Sequence, residues 1–449
     1  MSALGDLPPD QVRLWLHRVA GLVADYREKL DQRRVTPDIA RDDIAAAMPS
    51  LAPEHGEKLG AIFEDVERFV VPGLVHAGHP KFLTDSAAAL TTPGILGEWL
   101  AIALGGPESP AAAALETTVL RWIRGALGLA EHFAGMVEPS RAAATLRALA
   151  AAREVAHTET RRRGLVGAPK LMLYTSGEAD RSVEEAVVTL GLGTDSIRRV
   201  ETDGELRLRP AALRAAIARD IHARLRPFAV VATVGTPACG AVDPVPAIAD
   251  VCGESSLWLH VDAAAGGALS VLPEGRWVFD GVGRADSVVV GSHGWLFVPP
   301  DFTVLYTRRP ELQGMPPDGH GLAALKAWLV MRALGRTGLE ARVREQVRLA
   351  QRFAEWVEAD PDFELLAPVT TTVVCFRARP PGMADDEADQ LNRRLVEELR
   401  GSGRVYLGER RVGGGVAMRI AVGSVLTREE HIVDVWTLIH DAFDRTLVD

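Results

Sequence analysis

Five titratable side chains stand where this chain could do chemistry: Asp180, His260, Asp262, His293 and His320. His260 and Asp262 lie two apart in Leu257-Trp258-Leu259-His260-Val261-Asp262, and His293 follows the apolar run Val288-Val289-Val290. Asp180 sits in Tyr174-Thr175-Ser176-Gly177-Glu178-Ala179-Asp180-Arg181-Ser182, and His320 in a stretch rich in proline and glycine. Histidine titrates near neutrality and a neighbouring carboxylate sets its state, so the set suits general acid/base catalysis. Two residues apart on a strand, His260 and Asp262 would face the same side. No further ligand at metal-binding spacing completes them, and no metal site is expected. Asp180 is open to two readings: an acid/base group, or a turn residue capping a helix that starts at Ser182. Asp262 is likewise either functional or a strand-end carboxylate held by backbone N–H groups.

Bringing these groups together requires strands that end side by side. Apolar runs at 171–174, 228–234, 257–261 and 287–290 alternate with helical stretches such as 209–225. That alternation predicts a mostly parallel α/β sheet with crossover helices. Ligands of such sheets bind beyond the carboxyl ends of the strands, where Thr236, His260 to Ala264 and His293 fall. Ahead of the sheet, apolar stripes predict helices over 10–33 and 55–70, with Pro37, Pro49 and Pro53 between them and Pro72 after. Behind it, a long helix starts near Leu322 and bends around Gly335 and Gly338. A smaller α+β unit follows, with strands at 371–376 and 416–422 and helices at 387–402 and 428–446. The expected division is a helical arm (1–78), a large α/β domain (79–325) and a small C-terminal α+β domain (326–449).

With 449 residues, 47% apolar, the chain can fill ordinary cores. A net charge of −10 argues against a nucleic-acid partner, which needs a basic face. No apolar run reaches the length of a membrane span, and the first residues lack the basic flank and apolar stretch of a signal peptide, so a cytoplasmic location and no membrane association are expected. Cys239, Cys252 and Cys375 are scattered and read as small buried apolar residues. The lysines are Lys29, Lys58, Lys81, Lys170 and Lys326, and none lies between 170 and 326.

Two segments carry a resemblance: His260-Val261-Asp262-Ala263-Ala264-Ala265-Gly266-Gly267, and 285–300 with His293-Gly294-Trp295 at its centre. Together they resemble the active-site core of the group II pyridoxal-phosphate (PLP) amino-acid decarboxylases, the family of the aromatic-amino-acid and glutamate decarboxylases. His79-Pro80-Lys81-Phe82, Ile95-Leu96-Gly97-Glu98-Trp99-Leu100 and Ser109-Pro110 extend it in order, so that it covers almost the whole chain. The resemblance implies the fold-type-I architecture of PLP enzymes and a homodimer whose arm packs across its partner. It also implies that Asp262 corresponds to the aspartate that pairs with the cofactor's pyridine nitrogen, and that Ala264, Thr236 and His293 match pocket positions.

The chain departs from the family pattern at four places. The family motif His-Lys-Trp, whose lysine forms the Schiff base, reads His293-Gly294-Trp295. The phosphate loop Gly-Gly-Ser reads Ser140-Arg141-Ala142, which obstructs the backbone approach while leaving Arg141 either to meet an anion by charge or to lie in solvent. Asp180 takes the place of a histidine that stacks on the cofactor ring. A long mobile segment with a proton-donating tyrosine is reduced to 307–324, which has no tyrosine, and His320 stands where the family has an arginine. Ordinary PLP-dependent decarboxylation is therefore not expected. Three readings remain open: an acid/base enzyme without lysine or PLP, acting on an amine- or amino-acid-derived small molecule through Asp180, His260, Asp262, His293 and His320; an enzyme holding PLP or its amine form noncovalently through Asp262, Ala264, Thr236, His293 and Arg141; or a catalytically silent partner or ligand-binding subunit.

Overall fold

The computed structural model describes residues 6–84, 90–105, 109–292, 294–313 and 321–448. Its strands are β1 (Phe82–Leu83), β2 (Ala134–Glu138), β3 (Leu171–Ser176), β4 (Ile197–Val200), β5 (Arg226–Thr233), β6 (Trp258–Asp262), β7 (Ser287–Gly291), β8 (Thr303–Thr307), β9 (Phe363–Leu365), β10 (Val373–Ala378), β11 (Tyr406–Val412) and β12 (Gly415–Ala421). β2 to β8 form one seven-stranded sheet in the order β2-β8-β7-β6-β5-β3-β4. β4, β3, β5, β6 and β7 run parallel, and β8 is antiparallel to both β7 and β2. β3 and β6 are buried along their whole length because helices cover both faces, which is why they appear in the sequence as largely apolar stretches.

The helix Arg141–Ala156 lies between β2 and β3 in the chain and packs under the sheet through small residues. Ala144 and Ala148 are fully enclosed with Met136, Val289 and Leu305, so the helix axis lies close to the strands. Its first residue is thereby held near the carboxyl ends of β6 and β7. The loop after β6 is equally tight: a Cβ on Gly291 would lie 2.4 Å from the carbonyl oxygen of Ala264.

The second sheet has the order β1-β11-β12-β10-β9, with β1 parallel to β11 and the other pairs antiparallel. Thus Phe82 and Leu83, far upstream in the chain, complete the edge of the C-terminal sheet. The helix Ala324–Ala359 serves both layers. Ala324, Ala327, Val330, Leu339 and Val343 join the core beneath the large sheet, whereas Leu349, Phe353 and Val357 join the core of the small one. Within it Gly335 has φ 62° and ψ 178°, a break from helical geometry that glycine tolerates, and the expected bend falls there.

At the N-terminus the helix Pro9–Glu28 leaves every side chain at least partly exposed. The expected helix over 55–70 is shorter, running Leu59–Asp65 before a wider turn at Val66–Val70. Pro53 and Gly56, both poor helix residues, precede its start. No described helix is long and apolar enough to cross a membrane.

Candidate active site

Side chains alternate along β6, so Trp258, His260 and Asp262 share a face. That face looks toward the Arg141–Ala156 helix, since Trp258 shares a cluster with Leu149, Ala151 and Ala152. Trp258 Nε1 donates to Ser287 Oγ at 2.9 Å, and the same oxygen lies 2.8 Å from His260 Nδ1. An indole N–H only donates, so Ser287 Oγ accepts from Trp258 and keeps its own proton for Nδ1 or accepts from it as well. His260 is completely enclosed, and burial pushes its pKa down to about 4 against the opposing charge of Asp262. It is therefore a neutral imidazole at neutral pH, and its Nε2 has no hydrogen-bond partner among the described residues.

Asp262 closes β6 with 2% exposure. Its Oδ1 accepts from the Ala264 N–H at 3.1 Å, whereas its buried Oδ2 has no hydrogen-bond partner among the described residues. Arg141 reaches over it from the first turn of its helix: Nε is 3.7 Å from Asp262 Oδ1, and Nη1 is 2.8 Å from Asp180 Oδ2. A cation in a first helical turn opposes the helix dipole, so its place there relies on these two carboxylates. Of the two readings left open for Arg141, the solvated one does not apply: its side chain is 25% exposed and joined to two aspartates.

Of the two sequence readings of Asp180, the structure shows the turn role. Oδ1 accepts from the Ser182 N–H at 2.9 Å, the turn role, while Oδ2 faces Arg141. Burial raises the Asp180 carboxyl, but Arg141 and the bonds to Ser182 outweigh it and hold the pKa below the ordinary value. Two residues earlier in the same turn, Glu178 has no such partner among the described residues, and burial raises its pKa. Sequence reading passed over Glu178; its signal was a second carboxylate two positions from Asp180. A cavity of about 280 Å³ adjoins this turn, lined by Thr175, Ala179, Asp180, Val183 and Arg199 among others.

Thr236 is occupied in a turn after β5, where Oγ1 accepts from the Ala241 N–H at 3.0 Å and lies 3.3 Å from Cys239 Sγ. Ala264 contributes its N–H to Asp262. The structure thus brings Arg141, Asp180, Asp262 and, behind them, His260 to one end of the sheet. His293 and His320 lie outside the described residues. No group of three His, Cys, Asp or Glu side chains that could hold a metal occurs among the described residues.

A seven-stranded, mostly parallel sheet with a C-terminal α+β layer and polar groups at its strand ends is the fold-type-I architecture of PLP-dependent enzymes. The family described as "Pyridoxal-dependent decarboxylase conserved domain" matches residues 42–314 and 317–379, and the chain belongs to it. Phenylacetaldehyde synthase of Arabidopsis thaliana is 29% identical over 98% of this chain and 97% of its own. Tryptophan decarboxylase TDC2 of Camptotheca acuminata is 30% identical over 98% of this chain and 96% of its own. Among solved structures, Oryza sativa TDC with PLP superposes with a TM-score of 0.94 at 30% identity, covering 99% of both chains.

The family implies PLP, and the residues present can be tested against it. The unpartnered Oδ2 of Asp262 would accept from a protonated ring nitrogen. Other features oppose the group. Arg141 already bridges Asp262 and Asp180. At the start of the same helix, Ser140 Oγ takes the Ala143 N–H at 3.1 Å, one of the free donors a phosphate would use. Lys170 immediately precedes β3, at the end of the sheet opposite the site. Lys81 is bound to Asp434, and Lys326 to Glu98 and the Pro300 carbonyl. These residues do not fit a lysine-anchored PLP.

Proposed function

We propose that this member of the decarboxylase family acts on an amine- or amino-acid-derived small molecule by acid/base catalysis with its own side chains, without a Schiff-base lysine. The observation that carries this reading is the opposed state of two carboxylates in one turn. Asp180 is held below its ordinary pKa beside Arg141, and Glu178 above it by burial. Environments that push two such groups apart are the usual mark of an acid/base pair. In this reading Asp180, ionised beside Arg141, and Glu178 are the pair that exchanges protons with the substrate. Asp262 holds Arg141 from the far side, and neutral His260 supports Asp262. His293 and His320 remain candidates for proton transfer.

The absence of lysine from 171–325 and the glycine aligned with the family's lysine, Gly294, support the same reading. The relatives' names, tryptophan decarboxylase and phenylacetaldehyde synthase, favour an aromatic amine or amino acid as substrate class. The protein is further proposed to be a cytoplasmic homodimer.

The test is turnover of a panel of aromatic amines and amino acids, followed by mass spectrometry with no added PLP. Wild type should convert at least one. Asp180→Asn and Glu178→Gln should each lose about 10²- to 10⁴-fold, the usual contribution of a general acid or base. Turnover that needs added PLP, or that survives in both variants, overturns the reading.

A further inference from the structure

The carboxylates of Asp180, in the turn after β3, and Asp262, at the end of β6, come from different parts of the chain, and their approach needs a cation between them. Asp262 is almost wholly buried and Asp180 largely so, with side-chain exposures of 2% and 22%. Two carboxylates brought together at the end of a sheet repel in a medium that screens poorly. The guanidinium of Arg141 offsets this by meeting both, through Nη1 on one side and Nε on the other. Its planar fork suits that task, whereas a single ammonium would have to choose one partner. His260, the other basic group behind Asp262, is neutral and supplies no charge.

We infer that Asp180 and Asp262 form a cation-binding site which this chain fills with its own Arg141, and that the guanidinium thereby excludes any external cationic ring from Asp262. This rests on the reading that the site works without a lysine-held cofactor, and it adds the device by which the cofactor is kept out. The ligand class follows from the donor set. Shortening residue 141 leaves two carboxylates facing a vacated space, which takes a monocation carrying N–H donors in a plane, such as a guanidinium. A quaternary ammonium has the charge and lacks the donors. Ser140 caps the helix through its own hydroxyl, so the helix start does not depend on the Arg141 side chain.

The experiment is thermal unfolding of wild type and Arg141→Ala, each with methylguanidinium chloride or tetramethylammonium chloride at about 10 mM, since a ligand that binds only the folded state raises the melting temperature. Arg141→Ala should melt below wild type. Methylguanidinium should raise the melting temperature of the variant by several degrees and leave wild type unmoved, and tetramethylammonium should move neither. An equal response of the two proteins, or none in the variant, overturns the inference. Should Arg141→Ala fail to fold, equilibrium dialysis of wild type against pyridoxamine phosphate decides it. No uptake is expected, and stoichiometric uptake with Arg141 intact overturns it. Neither readout measures turnover, so the acid/base reading stands or falls separately on Asp180→Asn and Glu178→Gln.

Discussion

His260 is enclosed on all sides, with Nδ1 on Ser287 and a pKa held at about 4 by burial. The unfolded chain takes up this proton near pH 6.5, the folded chain only near 4. Between those values the unfolded state binds more protons, so stability is full above pH 6.5 and declines as the pH falls toward 4. For one group this is on the order of 3 kcal/mol. His260→Gln should therefore lose less stability than wild type between pH 7 and pH 4.5, measured by urea unfolding at both. His79, also lowered to about 4 by burial, keeps part of the slope in the variant. An identical pH response of the two proteins would mean that His260 is not enclosed as described. The sequence offered His260 and Asp262 as a pair, correctly placed on one strand. It could not offer Arg141 as their neighbour, because residues 141, 180 and 262 meet only after the chain has passed through β3, β4, β5 and β6 and returned each time to the same end of the sheet.

Among elements, the parallel strands β3, β5, β6 and β7 were legible because burial on both faces makes them largely apolar. β2 and β11 were not. β2 contains Gly135 and ends in Glu138, and β11 carries Glu409, Arg410 and Arg411 on a partly exposed stretch, so neither shows the apolar period of a strand. Their pairing with β8 and β12 creates them. The bend in the Ala324–Ala359 helix was legible from Gly335, and its geometry explains why. A φ of 62° with ψ of 178° lies in a region open essentially to glycine. Space is not the constraint, since nothing lies within 4 Å of a Cβ built there. Gly335→Ala should cost roughly 1–3 kcal/mol through backbone strain alone, read as a lower urea midpoint. Gly338→Ala, at a position with ordinary helical backbone, should cost far less. Equal effects would refute strain at Gly335.

For the whole molecule, the exposed apolar residues gather in the N-terminal segments. Leu14 and Leu16 are 57% and 45% exposed, and Ile102 and Leu104 are 76% and 67% exposed on the helix Thr92–Leu104. The helix Pro9–Glu28 has contacts such as Trp15 on Phe63 and Tyr26 on His76 but no fully buried side chain, which leaves it little packing to hold it formed in water. Association of two copies through these segments is the expected remedy, and sedimentation at micromolar concentration should give twice the chain mass. A monomer with a fully helical arm would rule it out. Leu14→Glu with Leu16→Glu should shift the dimer toward monomer.

The helix Ala324–Ala359 places its first half in one core and its second half in the other. A gene divided just before residue 324 would therefore yield two polypeptides that are each deficient. The upstream piece would lack Ala324, Ala327, Val330, Leu339 and Val343 from beneath its sheet, and the downstream piece would display those same side chains to water. Expressed alone, each should be recovered as insoluble material; expressed together, they should purify as one complex. For this protein, complementation between fragments is the expected behaviour, and modular transplantation of either part into another polypeptide is not.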